Sequence, residues 1–177
     1  MKNKIQPKLN IGIPVYNGEK FIRNCLNSIL NQTFTDFEII LSDNASTDST
    51  TSICKEYAKK DSRILFLKQK STKKALWNYN FVLQEAKSEY FMWASADDIW
   101  HPEYIEKNLM FLEKNSDFVG STSEVELFNE IWDEKDTSKF KNIKPKKKYE
   151  WVHPLIGTFE NKVKFIFDFG RFEYTYA

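Results

Sequence analysis

Glycine is scarce in this sequence, and its five glycines form no GxGxxG pattern. That pattern binds the pyrophosphate in dinucleotide-binding folds, so such a fold has no support here. No Gly-Lys pair followed by serine or threonine is present, which excludes a P-loop. A phosphate-accepting receiver domain would place its acids after the first predicted strand, where this chain has Tyr16-Asn17-Gly18. The lysines form no strand-borne kinase motif either.

Cysteine and histidine are equally scarce, with two residues of each type. Cys25 and Cys54 fall on the apolar stripes of predicted helices, so we interpret them as core residues of a protein from a reducing compartment. No cysteine–histidine cluster is present, which excludes a structural zinc site. His101 is assigned to the start of a helix.

The chain also lacks a long hydrophobic run and a dominant sign of charge. No apolar stretch approaches membrane-spanning length, and the polar start MKNKIQPKLN has no apolar segment behind it. We therefore expect no signal peptide and a cytoplasmic location, with peripheral contact at the inner membrane face as an alternative. The lysine-rich stretch 144–148 prompts that alternative, although a solvated loop is the simpler interpretation. A net charge of +1 argues against broad nucleic-acid binding.

The residues that are present fit one globular domain, with 41% hydrophobic and 16% aromatic residues in a chain of 177. Strand and helix patterns alternate four times before residue 118, which predicts an α/β fold with a mostly parallel sheet and helices on both faces. The predicted strands are Leu9–Val15, Phe37–Leu41, Ile64–Leu67 and Tyr90–Ala94, and the predicted helices are Glu19–Leu30, one that begins after the loop 42–48, Lys73–Ala86 and Pro102–Asn115.

Helical spacing assigns Phe21 and Leu76 to inward faces, and Asn17 is a candidate cap for the first helix. Ser46 and Asp48 are candidate caps for the second helix. A fifth strand is predicted from Phe118 to Ser121, with an extension through Glu124–Leu127. Residues 129–150 are highly charged and loop-like, and residues 161–172 fit a helix.

Polar and aromatic groups follow three of the predicted strands. Tyr16 and Asn17 follow the first strand, Asp43 follows the second, and Asp97 and Asp98 follow the fourth. Ligands of parallel sheets bind beyond the carboxyl ends of the strands, so these groups should share one edge. The adjacent acids are compatible with a solvated turn that caps a helix and also with a cation site.

Such an edge suits a nucleotide diphosphate. A carboxylate can accept the imide N–H of uracil, and a tyrosine ring can stack on the base. One acid of the pair can bond to ribose hydroxyls while the other binds Mg²⁺ or Mn²⁺, which take oxygen ligands and often only one or two from protein. The metal would neutralise the charge that develops on a departing diphosphate.

Two stretches of the chain resemble a known family, the inverting GT-A-fold glycosyltransferases that include cellulose, chitin and hyaluronan synthases and many bacterial polysaccharide transferases. The stretches are IGIPVYNGEKFIRNCLNSILNQTFTDFEIILSDNASTDST and EYFMWASADDIWHPEYIEK, in the family's order and at its usual separation. The resemblance covers roughly residues 8–128. It implies a Rossmann-like nucleotide-diphospho-sugar transferase fold and transfer of a sugar, with UDP-sugar as the expected donor, to a glycan or lipid-linked acceptor.

Site roles follow from the resemblance position by position. Pro14, Val15, Tyr16 and Asn17 match the first nucleotide-binding loop, Asp43 matches the acid that contacts the base, Asn80 lies in the family's asparagine-containing helix, and Asp97 and Asp98 match the DXD-type motif. Asp98 is then the metal ligand for Mn²⁺ or Mg²⁺, and Asp97 faces the ribose or diphosphate. Many relatives have a further acid where this chain has Ser95.

No acid after Asp98 lies in the sequence context of the family's catalytic base. Glu150, Glu160, Asp168 and Glu173 are the later candidates. We therefore expect a donor-binding half at 1–128 and a truncated acceptor-side segment at 129–177 within one domain. Two alternatives stay open, a non-catalytic nucleotide-sugar-binding module and a nucleotidyltransferase, although PVYNGEKF lacks the Gly/Arg/Lys-rich loop expected of the latter.

Overall fold

A computed structural model describes residues 6–122 of the chain. The chain divides into two compact units, Met1–Ile105 and Glu106–Ala177, and the second is described only as far as residue 122. The predicted features at Glu124–Leu127, at 129–150 and at 161–172 lie outside the described residues, as do the later candidate acids and the boundary near residue 128.

Strands and helices alternate along the described chain. The strands are β1 (Leu9–Val15), β2 (Phe37–Asp43), β3 (Ile64–Lys68) and β4 (Tyr90–Trp93), and the helices are α1 (Ile22–Leu30), α2 (Thr50–Lys60), α3 (Ala75–Glu85) and α4 (Tyr104–Lys114). The strands form one sheet in the order β3-β2-β1-β4, and every neighbouring pair is parallel. The predicted α/β class and parallel sheet are confirmed.

β1 is a central strand, and all seven of its residues are buried. A parallel strand covered on both faces is mostly apolar, as LNIGIPV is apart from Asn10, whose Oδ1 accepts from the Lys87 and Ser88 N–H groups at 2.8 Å. β1 pairs with β2 in a register that places Val15 beside Asp43, and it pairs with β4 so that Gly12 lies beside Trp93. The carboxyl ends of β1, β2 and β4 therefore meet at one edge of the sheet, as predicted.

Successive residues along each strand point to opposite faces of the sheet. Gly12 and Ser42 point to the face covered by α3, where Val82 lies against Gly12 and Ser42 bonds to Asn78. Asp43 points to the opposite face, where it bonds to Thr51 of α2. Right-handed crossovers account for this division. The connections through α1 and α2 add β2 and then β3 on one side of β1, whereas the connection through α3 runs in the opposite direction and places β4 on the other side of β1. The prediction of helices on both faces is confirmed.

The start of α1 differs from the prediction. The helix begins at Ile22, and the Gly18 carbonyl accepts hydrogen bonds from the Phe21 and Ile22 N–H groups at 3.0 and 2.9 Å. Asn17 does not cap it, because the Asn17 side chain bonds to Thr47 instead. Phe21 is 41% exposed, so its assignment to the inward face was wrong.

The inward face of α3 also differs. Leu76 is 65% exposed, whereas Asn78 and Val82 are the buried residues of this helix. Gly12 leaves room for Val82, and Ser42 supplies hydrogen bonds to Asn78. These two contacts rotate the helix so that Leu76 points away from the core.

The strand predicted at Phe118–Ser121 is absent, since residues 118–122 have no strand pairing in the described part of the second unit. The Phe118 N–H donates to the Asn115 carbonyl at 3.0 Å, and the Ser121 hydroxyl donates to the Asn108 side chain at 2.6 Å. These bonds hold the segment in turns after α4.

Candidate functional site

The turn after β1 and the loop after β2 are joined by reciprocal hydrogen bonds. We call residues 16–21 the first loop and residues 44–49 the second loop. The Asn17 N–H donates to Ser46 Oγ at 2.9 Å, while Asn17 Oδ1 accepts from the Thr47 N–H at 2.9 Å. Further bonds join the Glu19 N–H to Asp48 Oδ2 (3.2 Å), the Ser49 N–H to Glu19 Oε2 (2.9 Å), the Asn44 N–H to the Val15 carbonyl (2.8 Å) and the Gly18 N–H to the buried Thr50 hydroxyl (2.8 Å).

These bonds fix two residues in the left-handed region of backbone space. Asn17 has a φ of 50° and Ala45 has a φ of 59°. Asparagine tolerates this conformation, whereas alanine adopts it at a cost. Ser46 and Asp48, predicted as helix caps, serve mainly the junction of the two loops; only Asp48 also accepts from the N–H of Thr50, the first residue of α2, at 3.0 Å.

Asp43 lies at the end of β2 and has no exposed surface. Its Oδ1 accepts from the Ser46 N–H at 2.9 Å, and its Oδ2 accepts from the Thr51 hydroxyl. The carboxylate therefore anchors the second loop and the start of α2. Each oxygen has a further lone pair, but a ligand would reach it only after the covering residues move aside.

Pro14 and Val15 are buried at the end of β1, and Tyr16 is 49% exposed. The Tyr16 ring is thus a predicted donor-binding group with free surface for a ligand in the first loop. Asn80 is half-buried on α3, and its predicted role is not explained by any hydrogen bond within residues 6–122.

A buried network that the sequence did not reveal lies beside Asp43. The Ser42 hydroxyl donates to Asn78 Oδ1 at 2.6 Å and accepts from Gln69 Nε2 at 3.0 Å, while Asn78 Nδ2 donates to the Ser42 carbonyl at 3.0 Å. The Gln69 N–H donates to the Asp43 carbonyl at 2.9 Å. The network joins β2, the end of β3 and α3. The signal available in the sequence was Asn78 itself, a polar residue between the apolar residues Trp77 and Tyr79.

Asp97 and Asp98 are exposed in the turn that follows β4. The helix α1 and the residues after it hold the segment 95–105 that carries this turn. Cys25 Sγ donates to the Ser95 carbonyl (3.3 Å), Ser28 Oγ accepts from the Trp100 N–H (3.1 Å), Gln32 Nε2 donates to the His101 carbonyl (2.7 Å), and Gln32 Oε1 accepts from the Ile105 N–H (3.0 Å). The acid pair is therefore carried on a well-supported segment.

Asp98 is exposed, but neighbouring atoms reduce the hydration of its carboxylate. Loss of hydration raises the pKa of Asp98 above its usual value, repulsion by Asp97 raises it further, and a hydrogen bond with Ser95 opposes the shift. Burial, followed by the charges of Asp98 and Asp97, also raises the pKa of the Cys25 thiol. Cys25 and Cys54 are both free and buried, which agrees with the prediction that they are core residues.

The residues of this edge fit a divalent cation only in part. Within residues 6–122, no three side chains of the histidine, cysteine, aspartate or glutamate type are grouped to hold a metal. Asp97 and Asp98 offer only two carboxylates, which are hard oxygen ligands. Mg²⁺ commonly accepts one or two carboxylates when substrate phosphates and water complete its shell. The ligand set is thus compatible with a metal that binds together with a diphosphate.

No helix among residues 6–122 is both long and apolar enough to cross a bilayer.

Comparison with known proteins gives consistent matches. A putative glycosyltransferase of Bacillus subtilis, EpsE, is 36% identical over 110 residues, which cover 62% of this chain and 40% of that protein. An uncharacterised glycosyltransferase of Rickettsia typhi is 33% identical over 150 residues, or 84% of this chain and 44% of that protein. The chain thus spans less than half the length of these relatives.

Solved structures show the same fold. Residues 1–349 of Staphylococcus aureus TarS, in complex with UDP-GlcNAc, match with a TM-score of 0.56 and 27% identity over 62% of this chain and 32% of that one. A mannosyltransferase of Pyrobaculum calidifontis in complex with GDP-Man and Mn²⁺ matches with a TM-score of 0.56 at 22% identity, over 61% of this chain and 33% of that one, which supports the fold alone. The expected Rossmann-like GT-A fold is confirmed. The profile of the glycosyl transferase family 2 matches residues 10–165, and the chain therefore belongs to this family.

Proposed function

We propose that this chain binds the donor of an inverting glycosyltransferase, which moves a sugar from a nucleotide diphosphate, UDP in the first instance, to a glycan or lipid-linked acceptor. The observation behind the proposal is the meeting of three loops at one edge of the parallel sheet. Tyr16 in the loop after β1, Asp43 at the end of β2 and the pair Asp97–Asp98 in the turn after β4 lie at that edge. The family membership and the UDP-GlcNAc complex of TarS support a nucleotide sugar as the ligand.

Each residue then has a chemical task. The exposed ring of Tyr16 stacks on the base. Asp43 keeps the second loop in place and accepts the imide N–H of uracil once the loop opens. Asp97 accepts from ribose hydroxyls, and Asp98 binds the divalent cation.

When bound, Mn²⁺ or Mg²⁺ supplies charge neutralisation for the departing diphosphate. Inverting transfer also needs a general base that removes the proton of the acceptor hydroxyl. Among the residues 6–122, Asp97 and Asp98 are assigned to the donor, so the base is sought outside this range. The acids Glu150, Glu160, Asp168 and Glu173 are the first to test.

Calorimetry with UDP, GDP, CDP and dTDP in the presence of Mn²⁺ tests the donor site. We expect UDP to bind most tightly, because Asp43 suits the N–H of uracil. Equal and undetectable heats with all four ligands at millimolar concentration would contradict the proposal. A hydrolysis assay with UDP-sugars separates an enzyme from a non-catalytic module, and a nucleotidyltransferase would prefer a nucleoside triphosphate to a diphosphate.

A further inference from the structure

Three residues with hydrogen-bonding side chains, on α1 and just after its end, face the segment that carries the acid pair. Cys25, Ser28 and Gln32 recur at intervals of three and four residues, which places them on one side of the helix. Cys25 and Gln32 are buried, whereas Asp97 and Asp98 are exposed. We call Cys25, Ser28 and Gln32 the α1 clamp. The clamp can therefore support the acids from the protein interior without competing with them for a ligand.

The bonds from the clamp to the segment 95–105 end on backbone atoms. They involve the carbonyl groups of Ser95 and His101 and the N–H groups of Trp100 and Ile105. Such bonds fix the path of the backbone and leave the side chains of the segment free. The clamp thus determines where the turn lies, while the two carboxylates stay available to a ligand.

Two of these bonds flank Asp98. The Ser95 carbonyl accepts from Cys25 Sγ at 3.3 Å and from the Asp98 N–H at 3.2 Å, so it joins the thiol to the backbone of the acid. Two residues further along the chain, the Trp100 N–H donates to Ser28 Oγ at 3.1 Å. The Ser28 hydroxyl in turn donates to the Cys25 carbonyl at 2.8 Å. The turn that carries both acids is therefore bonded to α1 at each of its ends.

Gln32 fixes the continuation of the same segment. Its side chain is 4% exposed, so its amide needs hydrogen-bond partners within the protein. Nε2 donates to the His101 carbonyl at 2.7 Å and to the Ser28 carbonyl at 3.2 Å, and Oε1 accepts from the Ile105 N–H at 3.0 Å. Because both ends of the amide are bonded to the segment, the side chain and the path of the backbone stabilise each other.

We propose that Cys25, Ser28 and Gln32 are positioning residues that hold Asp98 in the place where it binds the divalent cation. This inference rests on the proposed function, in which Asp98 is the metal ligand. A protein that supplies only one or two oxygens to a cation must hold them in place, because few other bonds orient the metal. Loss of a group that orients a metal ligand commonly lowers metal affinity roughly 10–100-fold.

A purely structural role of the clamp makes a different prediction, since the segment also connects β4 to α4. A structural residue changes stability, and it changes UDP binding equally with and without metal. A residue that positions Asp98 changes only the part of UDP binding that depends on the metal. We define the Mn²⁺ enhancement as the affinity for UDP with Mn²⁺ divided by the affinity for UDP with EDTA.

Calorimetry on the full chain of 177 residues measures the Mn²⁺ enhancement. Ser28→Ala removes the acceptor of the Trp100 N–H, and Gln32→Met removes the bonds of the amide at a similar side-chain volume. Each substitution should lower the enhancement roughly 10-fold, while the affinity for UDP in EDTA keeps its parent value. Ser28→Thr retains a hydroxyl and should retain the parent enhancement.

A double variant tests whether the clamp acts through Asp98. Asp98→Asn should remove most of the enhancement, and the addition of Ser28→Ala should then lower the affinity for UDP no further. Asn31→Ala is the matched control, because Asn31 is exposed at the end of α1 and its side chain donates to the Asn27 carbonyl of that helix at 2.9 Å. It should leave the enhancement unchanged. Clamp variants with the parent enhancement, or with an equal loss of affinity in EDTA, would overturn the proposal.

Amide hydrogen exchange tests the clamp without a nucleotide. In Ser28→Ala the N–H of Asp98 should exchange faster than in the parent chain, because one end of the turn is released. Unchanged exchange at Asp98 in this variant would also overturn the proposal. A failure of the donor site would appear as missing UDP heats in the parent chain itself, whereas a failure of the clamp would appear as variants that match the parent in both measurements.

Discussion

At the scale of single residues, the two adjacent acids after β4 differ in environment. Asp98 has the raised pKa and bonds with Ser95, whereas Asp97 is the repelling neighbour. Asp98→Asn should therefore remove most of the dependence of UDP binding on Mn²⁺, because an amide is a poor ligand for a hard cation. Asp97→Asn should weaken UDP binding while its dependence on Mn²⁺ remains.

Calorimetry with Mn²⁺ and with EDTA measures both effects. Glu85→Gln, which neutralises an exposed acid at the end of α3, is the control and should change neither quantity. UDP affinity that is the same with EDTA, and the same in Asp98→Asn, would exclude the metal role of Asp98. Thermal unfolding should be similar in all three variants, since these side chains are exposed.

At the scale of elements, the packing of α3 on the sheet depends on one glycine. A Cβ atom at Gly12 would lie 2.7 Å from Val82 Cγ2 and 2.7 Å from Phe91 Cζ. Gly12→Ala should therefore lower the free energy of unfolding by about 1–3 kcal/mol, because α3 must move away from β1. Urea unfolding measures the change.

Gly120→Ala is the matched substitution, because a Cβ atom there would meet nothing within 4 Å. It should change stability by less than about 0.5 kcal/mol. A Gly12→Ala chain as stable as the parent would show that α3 can shift without loss of packing. The assigned role of Gly12 would then be wrong.

The elements also show what sequence can and cannot predict. β1 was predicted with its observed bounds, because a central parallel strand is mostly apolar and Asn10 is the one polar side chain in LNIGIPV. The predicted orientation of α3 was wrong, because the polar residues of ALWNYNFVLQE lie on two opposite sides, Asn78 and Glu85 on one and Asn80 and Gln84 on the other. Helical spacing therefore did not show which side faces the sheet. No role was assigned to Asn78 from the sequence, and only the fold shows that it meets Ser42.

The candidate site was predictable in part for the same reason. Strand ends are visible in the sequence, so Asp43 and the acid pair could be placed at one edge. The bonds between Asn17 and Thr47 join residues 30 positions apart, and no local pattern specifies which loops will meet. The burial of Asp43 follows from those contacts and could not be inferred from its neighbours in the chain.

At the scale of the whole molecule, the ion pair between Arg63 and Asp61 makes the free energy of unfolding depend on pH. Arg63 donates to Asp61 through Nε at 3.1 Å and through a terminal nitrogen at 2.8 Å, and it lies 4.6 Å from the centroid of the Phe37 ring. The hydrogen bond from Arg63 holds the pKa of Asp61 below its usual value, and burial opposes this only in part. The folded state therefore favours the ionised carboxylate.

A carboxyl group whose pKa is lower in the folded state contributes stability above its unfolded pKa, near 3.9, and that contribution is lost as the pH falls through the folded value. Asp61→Asn should thus lower the free energy of unfolding by about 1–2 kcal/mol at pH 7. The difference from the parent should shrink below about pH 4. Urea titrations across this range measure it.

Asp117→Asn is the control for this prediction, since Asp117 is exposed and no hydrogen bond of its side chain is present among residues 6–122. It should leave stability unchanged at every pH. A difference between Asp61→Asn and the parent that stays constant down to pH 2 would show that the contribution does not come from the charge of Asp61.

The position of β1 between β2 and β4 has a consequence for the order in which the protein is made. β1 leaves the ribosome first, but its partner strand β4 begins only at Tyr90. At the usual 5–20 residues per second, roughly 4–16 s separate the synthesis of the two strands. During that interval β1 can pair with β2, but its other edge has no partner. The unpaired N–H and C=O groups of that edge can bind other chains until β4 is made and pairs with β1.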